Sequence, residues 1–393
     1  MLSQKSNRWK EAYNPLRGLS LARLNGLLEA GERGQYSDLQ WFYWFMERSD
    51  PTIFAVMQRR RAALMASDWD IRLVTEADQG LAKAQADVLR AAYDKLENFR
   101  EAVAFLFTGI FRGYAHLEKH YGAGNEVERL EPVEQWFWVR DGMFGAWEYN
   151  ENAVSGRVHG IPVQRADFVV LEATAINRLF AKLFFDRCMA QKDYAAWLAV
   201  FGIPATFLVG PPNVPKTEEP EYQRIAEELI SDGRGYLPNG SDLKYVNGGA
   251  ARPPFLDRLA QIDKDIVLVG AGGLLTMLAE PGSGTLAGGA HQRAFLDIAR
   301  GDAALLSEVF QRDFDLLLLS ELFPDEPVAA YFEFAPKDAG EASRVLDDAV
   351  KLVAAGVSPS FAGTQRFRAK SVRFQSQVPD ISCGFRFVVP INA

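Results

Sequence analysis

His116-Leu-Glu-Lys-His120 is where the chain comes closest to a metal-ligand spacing. A metalloprotease helix needs its glutamate directly after the first histidine and two residues before the second, whereas Glu118 sits midway. On a strand, His116, Glu118 and His120 would share one face and could hold a cation. The reading favoured for that face is a polar outer side of a half-buried strand. Asp265-Ile-Val-Leu-Val-Gly-Ala-Gly-Gly-Leu-Leu places an apolar run before Gly270, Gly272 and Gly273, as a dinucleotide-binding turn does. Leu275 stands where the last glycine of that fingerprint belongs, and Ile266 and Val269 continue the helical phase of Leu259 and Ile262 where a strand is required. No Gly-Lys-Ser or Gly-Lys-Thr is present, and no serine sits in a Gly-x-Ser-x-Gly elbow. His159 and His291 are isolated. Cys188 and Cys383 lie far apart and outside any zinc spacing, which points to a reducing compartment. The pattern is that of a protein that is not an enzyme and takes no cofactor; a nucleotide-binding enzyme with a degenerate glycine loop is the weaker alternative.

The composition of 393 residues, 48% hydrophobic and 24% charged, is that of a folded chain of two or three domains. Its formal net charge is −8, the wrong sign for a surface that grips phosphates throughout, so contact with nucleic acid must be local or must let the polymer slide. Arg366, Arg368 and Lys370 share one face of a strand-like tail, which fits DNA, an acidic neighbour or, preferentially, the charged guard of a sheet edge. Arg59, Arg60 and Arg61 point three ways on a helix and read as solvated or salt-bridged. The longest uncharged stretch, from Ile266 to Ala279, is too short to span a bilayer of about 30 Å, and the first residues lack a signal-peptide core.

These groups must be positioned by an α+β chain. Asp38 and Asp50 read as N-caps of two helices, with Pro51 at a first helical position and the aromatic run Trp41 to Phe45 packed in the core or on a neighbouring copy. The spacing predicts a strand from Trp69 to Val74, helices over Gln79 to Leu96 and Phe99 to Phe111, and strands at Tyr114 to Tyr121, Gln135 to Arg140, Phe144 to Tyr149 and Asp167 to Leu171. A helix from Thr174 to Phe201 keeps three-to-four spacing for about 42 Å until Gly202 and Pro204. A second begins after Pro253-Pro254, with Phe255, Leu259, Ile262, Ile266 and Val269 on one stripe, and a third runs from His291 to Phe323. The first two bracket a small module: a strand at Ile203 to Val209, a helix at Glu218 to Ser231, and a hairpin turn at Pro238-Asn239-Gly240. A glycine-rich loop, Glu280 to Ala290, separates the last two helices.

Several pieces together give the chain a resemblance to a known family: Tyr13-Asn-Pro-Leu-Arg-Gly-Leu-Ser, Asp50-Pro-Thr-Ile with Gln58-Arg-Arg-Arg-Ala-Ala-Leu, Asp68-Trp-Asp-Ile, Lys192-Asp193-Tyr194 through Trp197 to Phe201-Gly-Ile-Pro, Leu237-Pro-Asn-Gly, and the Gly-Ser loop before His291. Over roughly residues 10 to 330 it resembles the Mu-like portal proteins of tailed bacteriophages. The resemblance implies an α+β portal fold assembled as a ring, usually of twelve copies, at one capsid vertex of the virion, through which double-stranded DNA is packaged and ejected. Its implied parts are an N-terminal arm (1–36), a wing (37–173), stem helices (174–202 and 254–275), a clip (203–253), a tunnel loop (276–290), a long helix with the C-terminal wing and short crown (291–358) and a basic tail (359–393). Implied site residues are Gly282, Ser283, Gly284, Thr285 and Leu286 in the tunnel loop, and Glu218, Glu219, Glu221, Asn239 and Gly240 on the clip. Leu183, Trp197, Phe201, Leu259 and Ile262 are implied in packing between stems of adjacent copies. Implied partners are further copies of the chain, DNA, the terminase large subunit, a head-tail adaptor or tail protein, and capsid or scaffold protein, with no membrane. Another head-to-tail connector ring is the alternative. Where relatives carry a helical crown, this chain has one helix over 338 to 355 followed by the basic tail.

Overall fold

Asp50 settles how the N-terminal helices are divided. Its carboxylate accepts hydrogen bonds from Thr52 N at 2.9 Å and Ile53 N at 3.0 Å, and Pro51 follows at the first helical position, so one helix must stop and another start there. The computed structural model describes residues 2, 12–201, 205–209, 215–232, 242–246, 255–273 and 285–335. It opens with α1 (Leu21–Glu32), capped by the Ser20 side chain, then α2 (Tyr36–Ser49) and α3 (Pro51–Met65). Asp38 is not the cap of α2. The helix begins at Tyr36, whose ring packs 5.0 Å from Tyr114 and 5.5 Å from Trp147, and this packing draws its start three residues earlier and leaves Asp38 in the first turn. Of the aromatic run, Trp41, Phe42 and Tyr43 are buried within the chain.

After β1 (Asp68–Leu73) come α4 (Gln79–Lys95), α5 (Phe99–Leu106) and α6 (Thr108–Arg112). The single helix expected over Phe99 to Phe111 is broken at Phe107, where the Thr108 hydroxyl bonds back to Phe105 O at 2.7 Å in competition with the helical ladder. The central strand β2 (Tyr114–Tyr121) pairs antiparallel with β3 (Val127–Val133) on one side and with β7 (Phe168–Glu172) on the other. A smaller antiparallel sheet joins β4 (Trp138–Val139), β5 (Glu148–Tyr149) and β6 (Ile161–Pro162). The longer strands expected at Gln135 to Arg140 and Phe144 to Tyr149 shrink to these two-residue pairings. Gln135–Phe137 forms a 3-10 turn, and residues 141–147 make a tight turn instead.

The last strand, β10 (Ala330–Ala335), pairs antiparallel with β1, so segments more than 250 residues apart close one ribbon. Its other edge is satisfied by side chains. Ser307 Oγ accepts from Phe334 N at 2.9 Å, Gln311 Nε2 donates to Phe332 O at 2.7 Å, and Asp315 Oδ2 accepts from Phe332 N at 2.7 Å. Steps of four residues drift by about 40° around an α-helix. Between α10 (Thr285–Phe310) and α11 (Leu316–Leu322) the chain widens to a π-helix over Gln311–Asp315, which removes that drift and keeps the three side chains along the strand. The expected helix from His291 to Phe323 is thus longer at its start and interrupted near its end. One large core joins these helices to the two main sheets, and a second cluster around Trp138, Tyr149 and Phe168 fills the β4–β6 region. Residues 336–393, with the expected helix over 338 to 355 and the Arg366, Arg368 and Lys370 face, lie outside the described residues.

Candidate channel and docking site

Two long helices carry the candidate site: α7 (Asn177–Phe201) and α9 (Phe255–Ala271). They are packed antiparallel, and the contacts recur every seven residues of α7. Phe180 meets Gly270, Arg187 meets Asp263, and the Tyr194 ring lies 6.1 Å from that of Phe255. Seven residues make nearly two turns, so these positions stay on one seam. Gly270 is required by close approach: a Cβ there would come within 2.3 Å of Val56 Cγ1 and 3.0 Å of Phe180 Cζ.

Buried ion pairs fix this pair of helices to α3 and α10. Arg187 bonds Asp50 at 2.7 Å and also Asp263, and Thr52 Oγ1 donates to Asp263 at 2.6 Å. Arg60 forms a two-pronged bond with Asp302, at 3.0 and 2.5 Å, and reaches Gly270 O at 3.2 Å. Burial pushes the Asp302 carboxyl up, against the downward pull of Arg60. Removing one partner of such a pair leaves a buried uncompensated charge, at a cost of about 3–5 kcal/mol. Arg60 is therefore the salt-bridged member of the arginine triplet, while Arg59 lies over the Phe295 ring and Arg61 is exposed.

The stem residues separate into two groups. Ile262 is fully buried against its own chain, which leaves it no surface for a neighbouring copy, whereas Leu183 is half-buried against the same core. A stripe predicted from periodicity has an apolar partner but no label saying which chain supplies it. Leu259 and Trp197 are half-buried; Phe201 ends α7, and its side chain lies outside the described residues. Val269, expected on the buried stripe, is exposed, and Val267 takes its place. Among the described residues, the exposed large apolar side chains on the two helices are Leu179, Leu198, Leu256, Leu268 and Val269; three-to-four spacing placed Leu179, Leu198 and Val269 on the periodic stripes but not Leu256 or Leu268.

Between the two helices, β8 (Ala205–Val209) pairs antiparallel with β9 (Asp242–Val246), and α8 (Glu219–Asp232) packs on β8. Glu218, Glu219 and Glu221 are exposed at the start of α8, where the helix dipole favours acidic groups. Pro238, Asn239 and Gly240 lie outside the described residues, as do Gly282, Ser283 and Gly284. Thr285 and Leu286, expected in the loop, instead begin α10. Gly288 and Gly289 cost about 1 kcal/mol each in a helix relative to alanine, which is why local propensity reads this stretch as loop.

Neither lure for enzyme chemistry assembles. Residues 255–271 are helical where a dinucleotide fold needs a strand, and Gly272 terminates the helix at a φ of +68°. His116, Glu118 and His120 are not gathered for a metal, and β2 is buried on both faces as far as Lys119, which corrects the expectation of a polar outer face. The His116 ring stacks 3.8 Å from Trp138, its two nitrogens have no hydrogen-bond partner, and burial holds it well below the usual histidine range. Glu118 accepts from Leu2 N at 2.9 Å and lies 3.3 Å from His120 Nε2.

Comparison with known proteins adds to this geometry. The profile of the family described as "Portal protein of Mu bacteriophage" matches residues 40–372. The chain is 23% identical over 363 residues to "Mu-like prophage FluMu protein gp29" of Haemophilus influenzae, covering 87% of this chain and 69% of that protein. It is 24% identical to the "Portal protein" of Escherichia phage Mu, over 88% of this chain and 69% of that one. Among solved structures, the neck of a native gene transfer agent particle with C12 symmetry is similar at a TM-score of 0.54 and 16% identity, covering 87% of this chain and all of that one. A chain of the native gene transfer agent virion is similar at a TM-score of 0.51 and 14% identity, over 86% and 94%. With two antiparallel helices bracketing a strand-and-helix module, and a profile match over most of its length, the chain belongs to the family of Mu bacteriophage portal proteins.

Proposed function

We propose that the chain assembles as a ring of twelve copies at one capsid vertex, and that double-stranded DNA passes through its centre during packaging and ejection. The observation that carries this reading is the pair of helices α7 and α9 held rigidly at one end by Arg187, Asp50 and Asp263, with apolar residues Leu198 and Leu256 left exposed beyond that lock. Such side chains are hidden when equivalent surfaces repeat around a closed ring. Twelve copies of a −8 chain total about −96, so an acidic bore would repel DNA and let it slide. In this reading Glu218, Glu219, Glu221, Asn239 and Gly240 face the terminase large subunit and later the head-tail adaptor. Gly282, Ser283, Gly284, Thr285 and Leu286 line the pore. The wing meets capsid or scaffold protein in the virion, and energy for packaging comes from the separate terminase.

Mass measurement on the purified full chain tests the ring. A particle of about 526 kDa, twelve times the 43.8 kDa of one chain, is expected, with no ATP hydrolysis of its own. A monomer or dimer at micromolar concentration would overturn it.

A further inference from the structure

The most exposed large apolar side chain among the described residues is not on the long helices. Phe144 is 92% exposed and Met143 52%, at the tip of the turn that joins β4 to β5. The turn is held closed, since Gly145 N donates to Asp141 O at 3.1 Å. Its two ends are anchored as well: the Arg140 guanidinium lies 4.4 Å from the Trp147 ring, and that ring packs 4.5 Å from Tyr114. A pre-formed turn presenting an aromatic knob spends little ordering entropy on binding, which is the character of an interface anchor.

A matching recess exists elsewhere on the chain. A groove of about 910 Å³ lies between α3 and α5, with Ala62, Met65 and Ala104 on its apolar side, Arg61, Arg100 and Arg129 around it, and Glu97 and Glu101 beside them, Glu101 lying 3.9 Å from Arg129. Arg129 is engaged by Glu131 at 2.7 Å. Arg61 and Arg100 are exposed and have no ion-pair partner among the described residues; the same is true of Asp141 at the base of the knob. A phenyl ring can take a guanidinium on its face, and an aspartate beside it supplies the opposite charge. The two features lie toward opposite ends of β2: the knob's anchor packs on Tyr114, whereas Arg129 stands opposite His120 in the β2–β3 register. Six residues of strand separate those ends by about 20 Å, so a knob does not reach its own groove.

We infer that Phe144 of one copy seats in the groove between α3 and α5 of the next copy, with Asp141 facing Arg61 and Arg100. This is a heterologous contact, one side of the chain against a different side of its neighbour, which is the kind that closes a ring. The inference rests on the ring proposed above and names a contact of the wing within it.

Two variants of the full chain test it. Phe144→Ala, at a position exposed in the single chain, should leave the melting temperature of the unassembled chain unchanged and raise the concentration at which half the chains are assembled by about tenfold. In a Cys188→Ser, Cys383→Ser background, Phe144→Cys with Ala104→Cys should give, on copper-phenanthroline oxidation, a ladder of disulfide-linked multimers on a non-reducing gel. Rings of full mass that show neither the shifted midpoint nor the ladder would overturn this contact and leave the ring standing. A wild-type chain that remains monomeric would overturn the ring, and this contact with it.

Discussion

His116 is a titratable group whose burial has a measurable consequence. Its folded pKa is held below the ordinary value, so under acid conditions the unfolded chain takes up a proton that the folded chain refuses. Its contribution therefore leaves stability intact above about pH 6.5 and erodes it as the pH falls, by up to about 1.4 kcal/mol per pH unit. Asp315 acts in the opposite sense. Burial raises its carboxyl to about 6, so its contribution is greatest while it is protonated and is lost as the pH rises through that value. His116→Phe keeps a flat ring against Trp138 and removes two unpartnered nitrogens. Thermal melts at pH 5 and pH 7 should differ less for this variant than for the parent, and an unchanged difference would show that another group carries the acid sensitivity.

At the scale of elements, the seam between α7 and α9 depends on a missing side chain. Gly270→Ala gains about 1 kcal/mol of helix propensity but forces a methyl group against Val56, and overpacking of this kind costs about 1–3 kcal/mol. Chemical denaturation should show net destabilisation, with Val56→Ala restoring part of it in the double variant; a Gly270→Ala chain as stable as the parent would mean that α3 can move away freely. The π-helix at Gln311–Asp315 follows the same logic, since its register is dictated by the backbone groups of β10 that Ser307, Gln311 and Asp315 must reach. Nothing in local propensity forecasts either feature. Both arise where two elements distant in sequence compete for one volume or one set of hydrogen bonds.

For the whole molecule, the ring reading predicts a division of labour that deletion can reveal. Removing Gly282 to Gly284 together with Thr285 and Leu286 should spare assembly, because the locks through Arg187 and Arg60 lie elsewhere, while lowering the amount of DNA packaged or retained. Packaging at the parental level would remove that loop from the pore. The sequence by itself determined the alternation of helix and strand around β2, the cap at Asp50, the two long helices and the small module between them, and the family to which they belong, because period, capping and turn chemistry act within a few residues. Only the tertiary structure decided that Ile262 is covered by its own chain, that Arg60 pairs with Asp302, that His116 stacks on Trp138, and that Phe144 is left bare. Burial and pairing are set by what arrives from distant segments, and a residue's own neighbours in sequence carry no record of that.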